Sequence, residues 1–188
     1  MSIDLDIFPT SPEYFYWGEL KNKFLELLTP EDAQRLGKLS LLRLGSNELV
    51  LENAKISIPD DKNHNYYYLS LDIPNTLGIS IGRNGPNYVS EIDMLEDFGR
   101  NLNAATIETL AQKWKSVGYV YGVTSMAGRS KWEPPLFVAL ATAIAHLCQG
   151  YVIVMSDNFT LDVGVYTPTE FQQAKMKFST QKLSEDNL

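Results

Sequence analysis

Residues 131–157, KWEPPLFVALATAIAHLCQGYVIVMSD, constrain the fold of this chain more than any other stretch, because an apolar helix there runs through a glycine into an apolar strand. Ser130 and Glu133 have the spacing of a capping box, and Pro134 and Pro135 suit a first helical turn, whose N–H groups have no intrahelical acceptor. The helix therefore starts near 133. Its body (Leu136, Phe137, Leu140, Ala141, Ile144, Leu147, Cys148) is apolar around nearly the whole circumference, which predicts a helix covered by protein. Gly150 is expected to end it in the left-handed conformation, which glycine enters without a Cβ clash. Residues 151–155 then have the composition of an interior strand.

A chain of 188 residues has the size of one domain and can bury a core without disulfides or metal. The expected organisation is one domain over 1–188, with residues 1–10 as an extended lead-in and 179–188 as a polar tail. Neither a signal-peptide pattern nor an apolar run of spanning length is present, so the expectation is a cytoplasmic protein with no membrane contact. The single cysteine, Cys148, excludes an intramolecular disulfide, and its place in the apolar helix predicts an inert thiol. The formal charge of −7 argues against nucleic acid as a direct ligand and suits a basic protein partner.

Ser11-Pro12 predicts a helix start, and Trp17, Leu20, Phe24, Leu27 and Leu28 recur at the spacing of an amphipathic helix. Thr29-Pro30 begins a short second helix to about Lys38. Between 39 and 83 the pattern becomes LSLLRL, ELVLEN, KISI, NYYYLSLDI and TLGISIGR, parted by two to seven turn-forming residues, which predicts a meander of antiparallel strands. On the strand from 66, Tyr67, Leu69, Leu71 and Ile73 share the core face. Tyr66 and Tyr68 fall on the other, either as ordinary packing or as a recognition surface. Helices are predicted from Ser90 to about Leu102 and over 104–117, then a strand over 119–124. Strand 119–124, helix 134–149 and strand 151–155 have the lengths of a βαβ unit with adjacent parallel strands. A strand over 160–166 and a capped helix from Thr167 follow.

The sequence contains no HExxH, Walker loop, dinucleotide fingerprint or GxSxG, so no catalytic residue, metal ligand or cofactor is assigned. His146 lies on the apolar helix and is expected to be a satisfied interior histidine, and His64 lies in a mixed polar loop. The acidic run Glu91, Asp93, Glu96 and Asp97 is expected to be a solvated helix face partly paired with Arg100, and it is also where a basic surface would dock. Residues 125–133, SMAGRSKWE, place Arg129, Lys131 and Trp132 beyond the carboxyl end of one strand, and Asp157 stands beyond the end of the next. Ligands of open sheets with parallel strands bind at such an edge.

The order from Phe137 to Phe171, an alanine-rich helix, Gly150, a strand, an acidic turn at Asp157 and then Pro168-Thr169-Glu170-Phe171, resembles the layout of uncharacterised bacterial α+β families, including immunity proteins of polymorphic toxin systems. That resemblance implies a non-enzymatic protein that binds and blocks a partner toxin. The sequence thus predicts an α+β fold: a mixed, largely antiparallel sheet with an N-terminal meander, packed helices and a C-terminal βαβ unit. The expected function is a protein-binding module, and the rival is a small-molecule or enzymatic site at the Arg129/Asp157 edge. The candidate binding residues are Arg129, Lys131, Trp132, Asp157, Tyr66, Tyr68, Glu96 and Asp97.

Overall fold

Seven strands form one sheet in the order β2-β3-β4-β5-β1-β6-β7, and every neighbouring pair is antiparallel. The computed structural model describes residues 4–56, 65–70, 76–83, 91–125 and 133–175. In chain order the elements are β1 (Asp4–Phe8), α1 (Trp17–Leu27), α2 (Pro30–Arg35), β2 (Ser40–Arg43), β3 (Asn65–Ser70), β4 (Thr76–Arg83), α3 (Glu91–Phe98), α4 (Ala104–Val117), β5 (Tyr119–Ser125), α5 (Glu133–Leu147), β6 (Tyr151–Val154), β7 (Gly164–Tyr166) and α6 (Pro168–Phe171). The fold is α+β, as the sequence predicts. No helix among the described residues is long and apolar enough to cross a membrane.

The N-terminal lead-in is a correction. Residues 4–8 form β1, which lies between β5 and β6 near the middle of the sheet. Leu5 and Ile7 are fully buried on one face, while Asp6 and Phe8 take the other. This insertion also corrects the βαβ unit. β5 and β6 run in the same direction with α5 between them in sequence, but β1 separates them, so they stand about 10 Å apart rather than adjacent.

The meander holds for β2 to β4, whereas residues 48–56 make only isolated bridges, Leu42 to Leu49 and Tyr16 to Lys55. Two cores result. The larger lies between the sheet and the helices α1 and α5, and includes Leu5, Ile7, Phe24, Leu41, Tyr67, Ile79 and Val123. A smaller one joins α3 and α4 to the other face, where Phe8 stacks on Trp114 with ring centroids 3.9 Å apart. The first helix starts at Trp17, not Ser11. Phe15 is buried against Tyr121, its carbonyl accepts from Ile56 N–H at 2.9 Å, and Glu19 accepts from Tyr16 N–H at 2.7 Å to fix the later start.

At the end of α5 the structure reassigns the left-handed residue. Gln149 takes the positive φ of 50°, and Gly150 is required for close approach: a Cβ there would lie 2.4 Å from the Phe8 carbonyl oxygen of β1 and 2.8 Å from Cys148 Sγ. Gly118, at the end of α4, does take the left-handed conformation, with φ 74°. Two opposite results follow. Gly150→Ala is expected to destabilise by about 2 kcal/mol, because β1 must shift, whereas Gln149→Gly is expected to stabilise by about 0.5–1 kcal/mol. Thermal melting of the two variants checks this, and a harmless Gly150→Ala would mean that β1 does not rest on the end of α5.

Candidate functional site

A concavity that contains an expected site residue lies at the β7 edge, where the α3–α4 turn meets the loop between β6 and β7. α3 stops at Gly99, whose N–H donates to the Leu95 carbonyl at 2.6 Å, and a Cβ on Gly99 would sit 2.2 Å from that oxygen. The chain then turns through Arg100 and Asn101 before Asn103 caps α4 by accepting from Thr106 N–H at 2.9 Å. Asn101 clasps the edge strand: its Nδ2 donates to the Val165 carbonyl at 2.7 Å and its Oδ1 accepts from Val165 N–H at 3.0 Å. The side-chain amide occupies the edge as a neighbouring strand would. Gly164 makes room for it, since a Cβ there would meet Asn101 Oδ1 at 2.8 Å.

On the other side, the loop after β6 is anchored by Phe159, which is buried beside Phe137 and Phe171. Thr160 is tied to Lys175 by a backbone N–H to carbonyl bond of 2.7 Å, and Tyr166 Oη donates to the Asp162 carbonyl at 2.9 Å. Between these supports is a cleft of about 450 Å³, lined by Arg100, Asn101, Asp157, Leu161, Asp162, Val163 and Tyr166. Arg100, Asp157 and Asp162 are exposed and enter none of the ion pairs found among the described residues, which all lie in the segment 21–52. The Tyr166 phenol is held above its ordinary pKa by burial and by the carboxylates of Asp162 and Glu170.

Of the expected site residues that are described, one lies in this cleft. Asp157 lines the cleft, and Glu96 and Asp97 are exposed on the last turn of the helix that delivers Arg100. The expected pairing of Arg100 with that acidic run does not form. Arg100 makes no salt bridge to Glu96 or Asp97, because α3 ends at Phe98 and the regular three- and four-residue spacing ends with it. Arg129, Lys131 and Trp132 lie outside the described residues. Tyr66 and Tyr68 are paired in the backbone register with Ser80 and Gly78, and their side chains likewise lie outside the description.

Arg100 is the arginine that lines the cleft with Asp157, whereas the sequence points to it only as a partner for the acidic helix. Asn101 and Tyr166 gave no motif. The asparagine two residues before the helix-capping Asn103 was the one local hint of a structured turn.

The other chemistry-bearing groups are accounted for structurally. Cys148 is buried, as a packing residue would be, and burial pushes its thiol up to about 12. His146 is a correction: it is part-exposed beside α1 rather than interior, and burial followed by the Lys23 charge lowers its pKa while Glu26 opposes. His64 lies outside the described residues. Ser125 donates to the Glu133 carboxylate in a buried pair that joins the end of β5 to the start of α5. Among the described residues no group of three or more His, Cys, Asp or Glu side chains is placed to hold a metal ion. No protein-family model, curated protein or solved structure matches the chain.

Proposed function

We propose that the protein is a non-enzymatic binding module which takes a basic protein partner at the acidic rim of the β7-edge cleft, as an immunity-type inhibitor takes its toxin. The observation that carries this reading is the convergence of Asp157, Asp162 and Arg100 in one cleft without ion pairing to each other or to any other described side chain. Charges gathered in a concavity without ion pairs among the described residues are available to a partner, and a rim of one dominant sign speeds encounter with the opposite sign. Glu96 and Asp97 are exposed on the last turn of the helix that leads to Arg100, and the chain's charge of −7 acts in the same direction.

The test is a pull-down and calorimetric titration against a basic, toxin-like protein encoded beside this one. Asp157→Lys combined with Asp162→Lys is expected to weaken binding by about a hundredfold, or roughly 3 kcal/mol, with little change in melting temperature. Affinity should also fall as salt rises. Equal affinity of parent and variant would remove the cleft from the interface.

The rival reading, a small-molecule site at this edge, is favoured by the cavity size, which lies within the usual range for small-ligand pockets. Saturable binding of a small zwitterion or anion that is lost in Arg100→Ala would favour the rival.

A further inference from the structure

We infer that the basic partner of the cleft binds by adding an extended segment of its backbone to β7, and that Asn101 is an internal stand-in which holds that edge until the segment arrives. This rests on the reading of the cleft as a partner site and adds the mode of recognition. β7 has β6 on one side only, with Val152 opposite Tyr166, Ile153 opposite Val165 and Val154 opposite Gly164. The outward backbone groups of an edge strand recur at every second residue. Val165 turns both of its groups away from β6, so the outward positions are 163, 165 and 167.

The two edges of the sheet are finished differently. Beyond β2 the chain covers its own edge with backbone, Arg43 N–H donating to the Glu48 carbonyl at 2.9 Å and Val50 N–H to the Leu41 carbonyl at 2.8 Å. At β7 side chains do this instead. Val165 gives its N–H and its carbonyl to the Asn101 amide at 3.0 and 2.7 Å, and the Thr167 N–H donates to Glu170 Oε2 at 2.8 Å. Val163, on the wall of the cleft, makes no backbone–backbone hydrogen bond to another described residue.

What Asn101 does at Val165 shows what the edge accepts. Its side chain ends in an amide, the chemical equivalent of a peptide unit, and it binds Val165 through one donor and one acceptor as a paired strand does. Gly164 leaves the space for that unit, since a Cβ there would meet Asn101 Oδ1 at 2.8 Å. A side chain supplies one amide, whereas an extended segment supplies one at each outward position and so makes more bonds than it displaces. Asn101 is itself exposed, on the turn between α3 and α4. Charge selects the segment: Asp157 and Asp162 line the same cleft against the single guanidinium of Arg100, which favours lysine and arginine side chains on the added strand.

The test is an NMR titration of the ¹⁵N-labelled full chain with an acetylated, amidated heptapeptide of alternating lysine and valine. A control peptide, N-methylated at two successive central residues, keeps every charge and loses a backbone donor on each edge of the strand. The control is expected to bind at least about tenfold more weakly, and Asn101→Ala to bind the first peptide at least about fivefold more tightly, because it removes the internal competitor. The Val165 amide and the Asn101 side-chain amide should be among the resonances that move. Equal affinity for the two peptides overturns the inference, as does an unmoved Val165 amide or no binding at millimolar peptide. A folded Asn101→Ala that binds more weakly also overturns it, since Asn101 would then shape the cleft rather than compete for the edge. Should Asn101→Ala fail to fold, the two peptides on the parent decide alone. Equal binding of both peptides that Asp157→Lys/Asp162→Lys abolishes would remove strand addition and leave the acidic cleft standing. A weaker control whose difference survives that double variant would keep strand addition and remove the acidic rim.

Discussion

Ala141→Asp is expected to cost the protein roughly 4 kcal/mol or more, enough to unfold a domain of ordinary stability at moderate temperature. Ala141 is fully buried in the middle of α5, as are Leu140, Ala143 and Ile144 around it. α5 packs against β5, β1 and β6 of the sheet, and α1 and α6 also pack on it, so its circumference has no route to water at this point. A carboxylate there needs several donors, and the neighbouring side chains Leu140, Ala143 and Ile144 offer none. The group would either stay ionised without compensation or take up a proton at a cost that grows with pH. Ala141→Ser, which adds one small polar atom, is expected to lose far less, about 1–2 kcal/mol. Chemical denaturation of the three proteins measures the difference. If Ala141→Asp melts with the parent, α5 is not the centre of the core.

That α5 is central was legible because its signal is dense: almost every side chain from 136 to 145 is apolar, and no surface face can be drawn through them. β4 and α4 were equally legible, each from a clean period and flanking turn or cap residues. β1 shows the limit of that approach. Its five residues, DLDIF, do alternate, but Asp4 and Asp6 look like solvated positions, and nothing local says that strands 114–120 and 143–147 residues away will close on both sides. Pairing partners are non-local information.

The βαβ expectation failed for the same reason. Lengths of strand, helix and strand fix the crossover but say nothing about a third strand entering between the two. The glycine at 150 was recognised correctly and explained wrongly. Its requirement comes from the Phe8 carbonyl, again a contact with β1, and not from its own φ. For the candidate site, Asp157 and the acidic end of α3 were visible as residue types. That the α3–α4 turn and Asp157 line one cleft depends on Asn101 fastening that turn to β7, a tertiary bond between positions 64 apart in sequence.

The consequence of β1's position that is easiest to measure concerns Asp6. Asp6 lies opposite Gly122 of β5 and Ile153 of β6, partly buried on the face that also holds the Phe8–Trp114 stack. Neither cross-strand neighbour can donate a side-chain hydrogen bond or a charge. Burial is the main influence and the nearby Asp4 carboxylate adds to it, so the Asp6 pKa is raised from an ordinary carboxylate value to about 6. In the unfolded chain the same group titrates near 3.9.

Between about pH 4 and pH 6 the folded state therefore holds a proton that the unfolded state releases, and stability falls as pH rises through that window. At neutral pH both states are ionised and the full penalty, about 2–3 kcal/mol, is present. Asp6→Asn keeps the shape and removes the charge. It is expected to raise stability at pH 7 by about 2 kcal/mol, with the gain shrinking from pH 6 downward and absent below pH 4, where the parent aspartate is already neutral in both states. Urea unfolding of parent and variant at a series of pH values reads this directly. A variant less stable than the parent at pH 7 would mean that the ionised carboxylate is favourably held in the fold. A gain independent of pH would assign the effect to something other than the charge.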